Sequence, residues 1–264
     1  MPIVMSDLLD DLVAETTVLT GLVAGLDEAG WRTATPADGW SIADQFSHLA
    51  FFDDAVVVAA SDPDRFALEL AGPALAGELS TDALAARYRD RTGPELLDWL
   101  GGARRTLVSV FGALDPARRL PWFGPPMSAA SAVTARIMET WAHGQDVADA
   151  LGVSRVPTSR LRHVAHLGVR ALPYSFAANG LEPPTAPIRV ELTAPGGELW
   201  TWGDAAAADR VAGPALDFCL LVTQRRHRDD TTIVAHGATA SQWLTIAQAF
   251  AGPPGPGRQA GQRH

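Results

Sequence analysis

The stretch IMETWAHGQDVADALG, residues 137–152, predicts an amphipathic helix that carries polar chemistry on one side. Glu139 and His143 stand four residues apart, so on a helix a carboxylate and an imidazole project from the same side and can hold one ion. The same pair is equally typical of the solvated face of a surface helix. The opposite side of this helix has the apolar and small residues of a core stripe, which are Val133, Ile137, Trp141, Gly144, Ala148 and Leu151.

A second stretch, GWSIADQFSHLAFFD at residues 39–53, supplies a third candidate ligand. Ser41 with Asp44 three residues later predicts a helix start of the capping-box kind. The helix that follows carries His48 off its own apolar stripe. His48 alone is more typical of a hydrogen-bonded helix residue. Combined with Glu139 and His143, it would complete a two-histidine, one-carboxylate site with open positions, which is typical of a catalytic divalent metal.

The distribution of helical and strand patterns predicts an α+β protein. Four long amphipathic segments in residues 1–153 favour a four-helix bundle, with a loop-like region at residues 61–80 that has room for a short helical turn. From residue 154 the pattern is mixed, because IRVELTAPGGELWTWG alternates around a Pro-Gly-Gly turn and predicts a β-hairpin. We therefore expect a bundle at 1–153, a small α+β domain at 154–250 and a flexible Gly/Pro-rich tail at 251–264.

Composition excludes several classes of function. The chain has 264 residues, 47% hydrophobic and 19% charged, and a net charge of -9 without a block of Lys or Arg. This balance argues against nucleic acid or an anionic membrane as a partner, and the N-terminus lacks the pattern of a signal peptide. A single cysteine, Cys219, lies in an apolar run and is expected to be a buried hydrophobe. We expect a cytoplasmic protein with a small-molecule substrate, as a monomer or homodimer.

Sequence motifs of other enzyme classes do not occur in the chain. It has no GxSxG, phosphate-binding loop, dinucleotide fingerprint or Cys-x-x-Cys, which argues against the common nucleophilic, nucleotide-binding and redox functions. His163 and His166 are three residues apart, and we expect them to have a structural or surface role.

Taken together, GWSIADQFSHLA and the later ETWAHGQDVADALG resemble the actinobacterial branch of the DinB-like superfamily, close in layout to the mycothiol-dependent maleylpyruvate isomerases. The resemblance implies a DinB-type bundle that holds a divalent metal, usually zinc, followed by a domain of sterol-carrier type. It places the metal ligands on His48, Glu139 and His143. The C-terminal stretch DFCLLVTQRRHRDDTTIVAHG is more similar to a separate subgroup than to the isomerases themselves, which leaves the substrate and mycothiol open.

The resemblance also implies a reaction class, in which a metal-activated thiol such as mycothiol adds to a small, anionic electrophile as an S-transferase or a cis–trans isomerase. Arg225 and Arg226 are the candidate catalytic residues that would bind the anion, with Arg87 and Arg91 as alternatives. Two other functions stay open, namely a hydrolase with a metal-bound water and a non-catalytic lipid or small-molecule carrier with a structural metal. Two carboxylates are candidates for orienting the histidines from outside the ligand set, and they are Asp44 and Asp146.

Overall fold

The chain forms two compact units, one ending at Ser154 and one beginning at Arg155. The structure is a computed structural model that describes residues 4–77, 79–255 and 257–262. The sequence pattern places the domain boundary after residue 153. The predicted α+β class is confirmed, since helices dominate the first unit and a mixed sheet lies in the second.

The first unit consists of four long helices joined by short helical segments and one small hairpin. In chain order its elements are α1 (Met5–Leu22), α2 (Glu28–Trp31), α3 (Ile42–Ser61), α4 (Pro63–Phe66), a π-helical turn (Ala67–Ala71), α5 (Gly72–Leu75), α6 (Thr81–Arg87), α7 (Gly93–Gly112), β1 (Arg119–Leu120), β2 (Met127–Ser128) and α8 (Ala129–Ala150). Strands β1 and β2 pair antiparallel.

The four long helices form a ring in which α3 packs against α7 and α8, and α1 packs against the same two helices. Two buried apolar clusters fill the interior, and each draws side chains from all four helices. On α3, for example, Leu49 belongs to one cluster and Val56 to the other, with the buried Asp53 between them. A polar layer therefore lies between two apolar layers of the bundle.

The starts of α3 and α7 follow the sequence signals closely. Ser41 and Asp44 cap α3 reciprocally, as predicted, and Thr92 and Glu95 form the same kind of capping box for α7. Side chain and backbone together satisfy N–H groups that a helix start leaves without intrahelical partners. The beginnings of α3 and α7 are therefore encoded locally.

Residues 61–80, predicted as loop-like with room for a short helical turn, contain more helix than that, namely α4, the π-helical turn and α5. The reason is visible at Asp62, whose side chain accepts a hydrogen bond from the N–H of Arg65 while Pro63 occupies the first turn. An Asp-Pro pair breaks the preceding helix, but it also starts a new one well, because proline is tolerated at the first helical position.

The second unit contains a four-stranded mixed sheet built from β3 (Ile188–Thr193), β4 (Leu199–Trp202), β5 (Asp209–Pro214) and β6 (Val234–His236). The order of the strands in the sheet is β4-β3-β5-β6. The predicted hairpin pairs β3 with β4 antiparallel, but β5 also pairs with β3, in parallel. We did not predict β5, since it contains Gly213 and Pro214 and lacks alternation. The helical elements of this unit are α9 (Leu161–Arg170), α10 (Leu172–Ala178), α11 (Ala215–Val222), a 3-10 turn (Arg228–Asp230) and α12 (Ala238–Ile246).

The Gly/Pro-rich segment at residues 251–264 has no helix or strand where the structure describes it, at 251–255 and 257–262. Hydrogen bonds attach its described residues to the second unit. The hydroxyl of Tyr174 bonds the backbone of Gly252, and the N–H of Gly261 donates to the carboxylate of Asp230. The final two residues of the predicted tail lie outside the described residues.

Candidate metal centre

The structure brings His48, Glu139 and His143 together, each offering one potential ligand atom, and these atoms all lie within 4.8 Å of one another. The Nε2 atom of His143 lies 3.2 Å from Oε2 of Glu139, and Nε2 of His48 lies 3.7 Å from the same oxygen. Among the described residues this is the one group of three or more potential ligands that meets in this way.

The cluster follows from the packing of α3 against α8. Glu139 and His143 lie on adjacent turns of α8, and His48 reaches them from α3 across the interface. The side of α8 that could have been a solvated face is not one, because His143 is only 9% exposed. The side chain of Glu139 keeps 22% exposure, so the cluster is reachable from solvent at the carboxylate.

Electrostatics prepares His48 and Glu139 to donate lone pairs at neutral pH. Burial, together with the neighbouring His143, lowers the pKa of His48 to about 4, so this imidazole is neutral. Burial on its own would raise the pKa of Glu139, but hydrogen bonds and charge from His143 and His48 hold that pKa well below its usual value. Neutral imidazoles and an ionised carboxylate are the forms that bind divalent metals.

This donor set fits a divalent metal. The Nε2 atoms of both histidines lie near one oxygen of Glu139, so a divalent cation could accept a lone pair from each of the three side chains. Two imidazoles and one carboxylate leave further coordination positions for water or substrate, as in catalytic rather than closed structural zinc sites.

Aromatic rings lie against the two histidines of the cluster. The ring of Phe52 lies 4.6 Å from that of His48, centroid to centroid. Trp40, which we did not predict, lies 5.3 Å from His48 and stacks on His143 at 6.0 Å. Such a shell limits water and lowers the local dielectric constant.

Gln45 was not predicted either, and its side-chain oxygen forms a hydrogen bond with Nδ1 of His143. Gln45 and His48 are three residues apart on α3, so the helical spacing could have identified it. Asp44, considered as an orienting residue, has a different role, because its carboxylate caps α3 and pairs with Arg89. Asp146 is buried on α8.

The candidate arginines lie in different places. Arg225 and Arg226 follow α11 in the second unit, where their Nη1 atoms donate to the carbonyls of Thr223 and Arg225. In the first unit, Arg87 is exposed on α6, and the guanidinium of Arg91 lies 4.5 Å from the centre of the Trp99 ring. The role of these arginines toward an anionic substrate stays a prediction.

A buried ionic network adjoins the cluster. Asp53 on α3 accepts one hydrogen bond from Arg104 at 2.7 Å and one from Arg136 at 2.8 Å, and all three residues are buried. Arg104 also donates to Thr140, the residue after Glu139, and Arg136 donates to the carbonyl of Leu49, the residue after His48. The network therefore connects the two helices that carry the candidate ligands.

Comparison with known proteins shows which family the chain belongs to. Residues 12–148 match the model of a family described as Mycothiol maleylpyruvate isomerase N-terminal domain. The chain belongs to this family. Two uncharacterised proteins from two strains of Mycobacterium tuberculosis are each 50% identical to it over 249 residues, covering 94% of this chain and 96% of theirs. Residues 184–236 also match a family described as Wyosine base formation.

Solved structures show the same fold. The crystal structures of the mycothiol-dependent maleylpyruvate isomerase and of one of its mutants match with a TM-score of 0.57 at 14% identity. Each match covers 88% of this chain and 93% of the other. The similarity at this identity concerns the fold, and it includes both units of the chain.

The remaining sequence predictions concern residues away from the cluster. Cys219 is fully buried, and burial raises the pKa of its thiol, which confirms the predicted hydrophobic role. Nδ1 of His166 accepts a hydrogen bond from the indole of Trp202, and no third potential ligand joins His163 and His166 among the described residues. In the described part of the chain, no helix is both long and apolar enough to span a bilayer.

Proposed function

We propose that the protein is a metal-dependent enzyme in which His48, Glu139 and His143 bind a divalent ion, with zinc as the expected metal. The proposed reaction is an S-transfer or a cis–trans isomerisation on a small, anionic electrophile, with a low-molecular-weight thiol of the mycothiol type as cosubstrate. The observation that carries the proposal is the convergence of the three ligand atoms within 4.8 Å. Membership of the mycothiol maleylpyruvate isomerase family supports the choice of thiol chemistry.

Each residue of the site has a defined part in this chemistry. A bound divalent ion would lower the pKa of a coordinated thiol or water and so supply a nucleophile at neutral pH. His48, kept neutral by burial, and the ionised Glu139 present lone pairs without first losing a proton. Phe52 covers the ring of His48 and excludes water from that side. Arg225 or Arg226 is proposed to bind the anionic group of the substrate.

The first test is the metal content of untagged protein, measured by elemental analysis. Stoichiometric zinc is expected in the wild type and in His163→Ala, a control that removes a histidine outside the cluster. Zinc should be lost in His143→Ala, because two remaining ligands bind a divalent ion poorly. If none of the three proteins holds metal, even after reconstitution, the proposal is wrong.

A second measurement separates thiol chemistry from the other functions. Activity on a panel of electrophiles should be saturable in added thiol and should be abolished by a chelator. Turnover of esters or amides without thiol would identify a hydrolase that uses the same three ligands. A co-purified apolar ligand without metal-dependent turnover would instead identify a carrier.

A further inference from the structure

The side chain of Gln45 lies in the middle of a short chain of hydrogen bonds that leads from the carbonyl of Trp40 through Thr35 to His143. Gln45 is fully buried on α3, and its Oε1 bonds Nδ1 of His143. Its Nε2 lies 2.8 Å from Oγ1 of Thr35, and that hydroxyl lies 2.9 Å from the carbonyl of Trp40. These hydrogen bonds therefore join four groups in a row, which are the carbonyl of Trp40, the hydroxyl of Thr35, the amide of Gln45 and the ring of His143.

The chemistry of these groups determines which end of the amide faces the histidine. A hydroxyl has one hydrogen, and the carbonyl of Trp40 can only accept, so Thr35 must donate its hydrogen there. Thr35 can then only accept from Gln45, which requires the NH2 end of the amide to face Thr35. The oxygen of Gln45 consequently faces His143, and the orientation of the amide does not depend on a choice between its similar ends.

The orientation of Gln45 in turn determines the tautomer of His143. An amide oxygen accepts hydrogen bonds, so Nδ1 of His143 must carry a hydrogen. In the neutral ring the lone pair is then on Nε2, the atom that lies 3.2 Å from Glu139. This is the tautomer in which His143 can serve as a ligand through Nε2.

We infer that Gln45, held by Thr35, is a positioning residue that fixes His143 in its metal-binding tautomer. The inference rests on the proposed metal site. His48 has no comparable support at its Nδ1, which is buried without a hydrogen-bond partner among the described residues. Of the two histidines, His143 is the one whose Nδ1 is held by a hydrogen bond before any ligand arrives.

The test uses Gln45→Leu, which keeps the volume of the side chain and removes both hydrogen bonds. The matched control is Gln145→Leu, the same change at a buried glutamine on α8 whose amide bonds Asp149 instead of the cluster. Competition with a chromophoric chelator gives the Kd for Zn²⁺. We expect Gln45→Leu to bind zinc about 10- to 100-fold more weakly, the usual cost of losing a partner that orients a ligand. Gln145→Leu should bind like the wild type.

A second measurement does not depend on metal binding. Long-range proton–nitrogen NMR on the metal-free protein reports which ring nitrogen of His143 carries the hydrogen, with His143→Asn providing the assignment. We expect the Nδ1–H tautomer in the wild type and a shift toward Nε2–H in Gln45→Leu. If Gln45→Leu is poorly folded, Thr35→Val removes the group that orients Gln45 and should produce the same shift to a smaller extent.

The outcomes distinguish this inference from the proposed function. A wild type with the Nε2–H tautomer, or a folded Gln45→Leu variant with unchanged zinc affinity, would overturn the role of Gln45. A wild type that binds no zinc would overturn the proposed function, and the NMR result would still decide whether Gln45 sets the tautomer.

Discussion

Replacing Asp53 with Asn removes the negative charge that two buried arginines share. Asp53 is fully buried, and Arg104 and Arg136 are 4% and 3% exposed, so water cannot replace the lost charge. Breaking a buried ion pair by removing one partner costs about 3–5 kcal/mol, because an uncompensated charge remains in the interior. Here two guanidinium groups lose their partner, so Asp53→Asn should fall at the upper end of that range, a large part of the 5–15 kcal/mol typical of a whole domain.

The neighbouring residue provides a matched control. Asp54 is exposed, and its carboxylate accepts a single hydrogen bond at 2.7 Å, from the indole of Trp99. Asp54→Asn should therefore cost about 1 kcal/mol or less. Urea unfolding followed by tryptophan fluorescence measures both variants. Equal costs for the two substitutions would show that the network contributes nothing to stability and would refute the reasoning.

Two further predictions concern stability. Because the folded pKa of His48 is about 4 and its unfolded value is 6.5, the folded state resists protonation, and stability falls as pH declines from 6.5 toward 4. At pH 5 the metal-free wild type should be about 2 kcal/mol less stable than at pH 7, measured by urea unfolding. A His48→Gln variant should lack this part of the pH dependence, and equal slopes would contradict the reasoning. Gly93→Ala should destabilise the bundle by about 1–3 kcal/mol, since its Cβ would meet the buried Trp31 ring at 2.1 Å. In the same helix Gly101→Ala should be neutral or stabilising, because its Cβ would meet only the end of the Arg105 side chain. Thermal unfolding measures both variants, and equal melting temperatures would contradict this expectation.

Local signals in the sequence were sufficient for most of the helical framework. Ser41, Asp44, Thr92 and Glu95 mark helix starts through contacts within a single turn, and the structure shows these contacts. Such interactions depend on residues three positions apart, so they can be read without knowing the fold. Pro173 is a local signal of the same kind, since it lies in the first turn of α10, next to the break after α9.

Features that depend on distant residues were not predictable in this way. Strand β5 is defined by its parallel pairing with β3, which its own short sequence does not encode. The network of Asp53, Arg104 and Arg136 joins residues 32 to 83 positions apart, so no window of sequence contains it. Individually these charged residues resemble ordinary surface positions. Only the packing of α3, α7 and α8 shows that they are partners.

The candidate site lies between these two cases. The spacing of Glu139 and His143 is local, whereas the approach of His48 requires α3 to pack on α8. The same helix pair is connected by Arg136, which reaches from α8 both to Asp53 and to the carbonyl of Leu49, directly after His48. Because adjacent residues of α3 belong to the ligand cluster and accept hydrogen bonds from the ionic network, a shift of α3 along α8 would disturb both. The buried charges thus connect α3 and α8 at the level where His48 approaches Glu139 and His143.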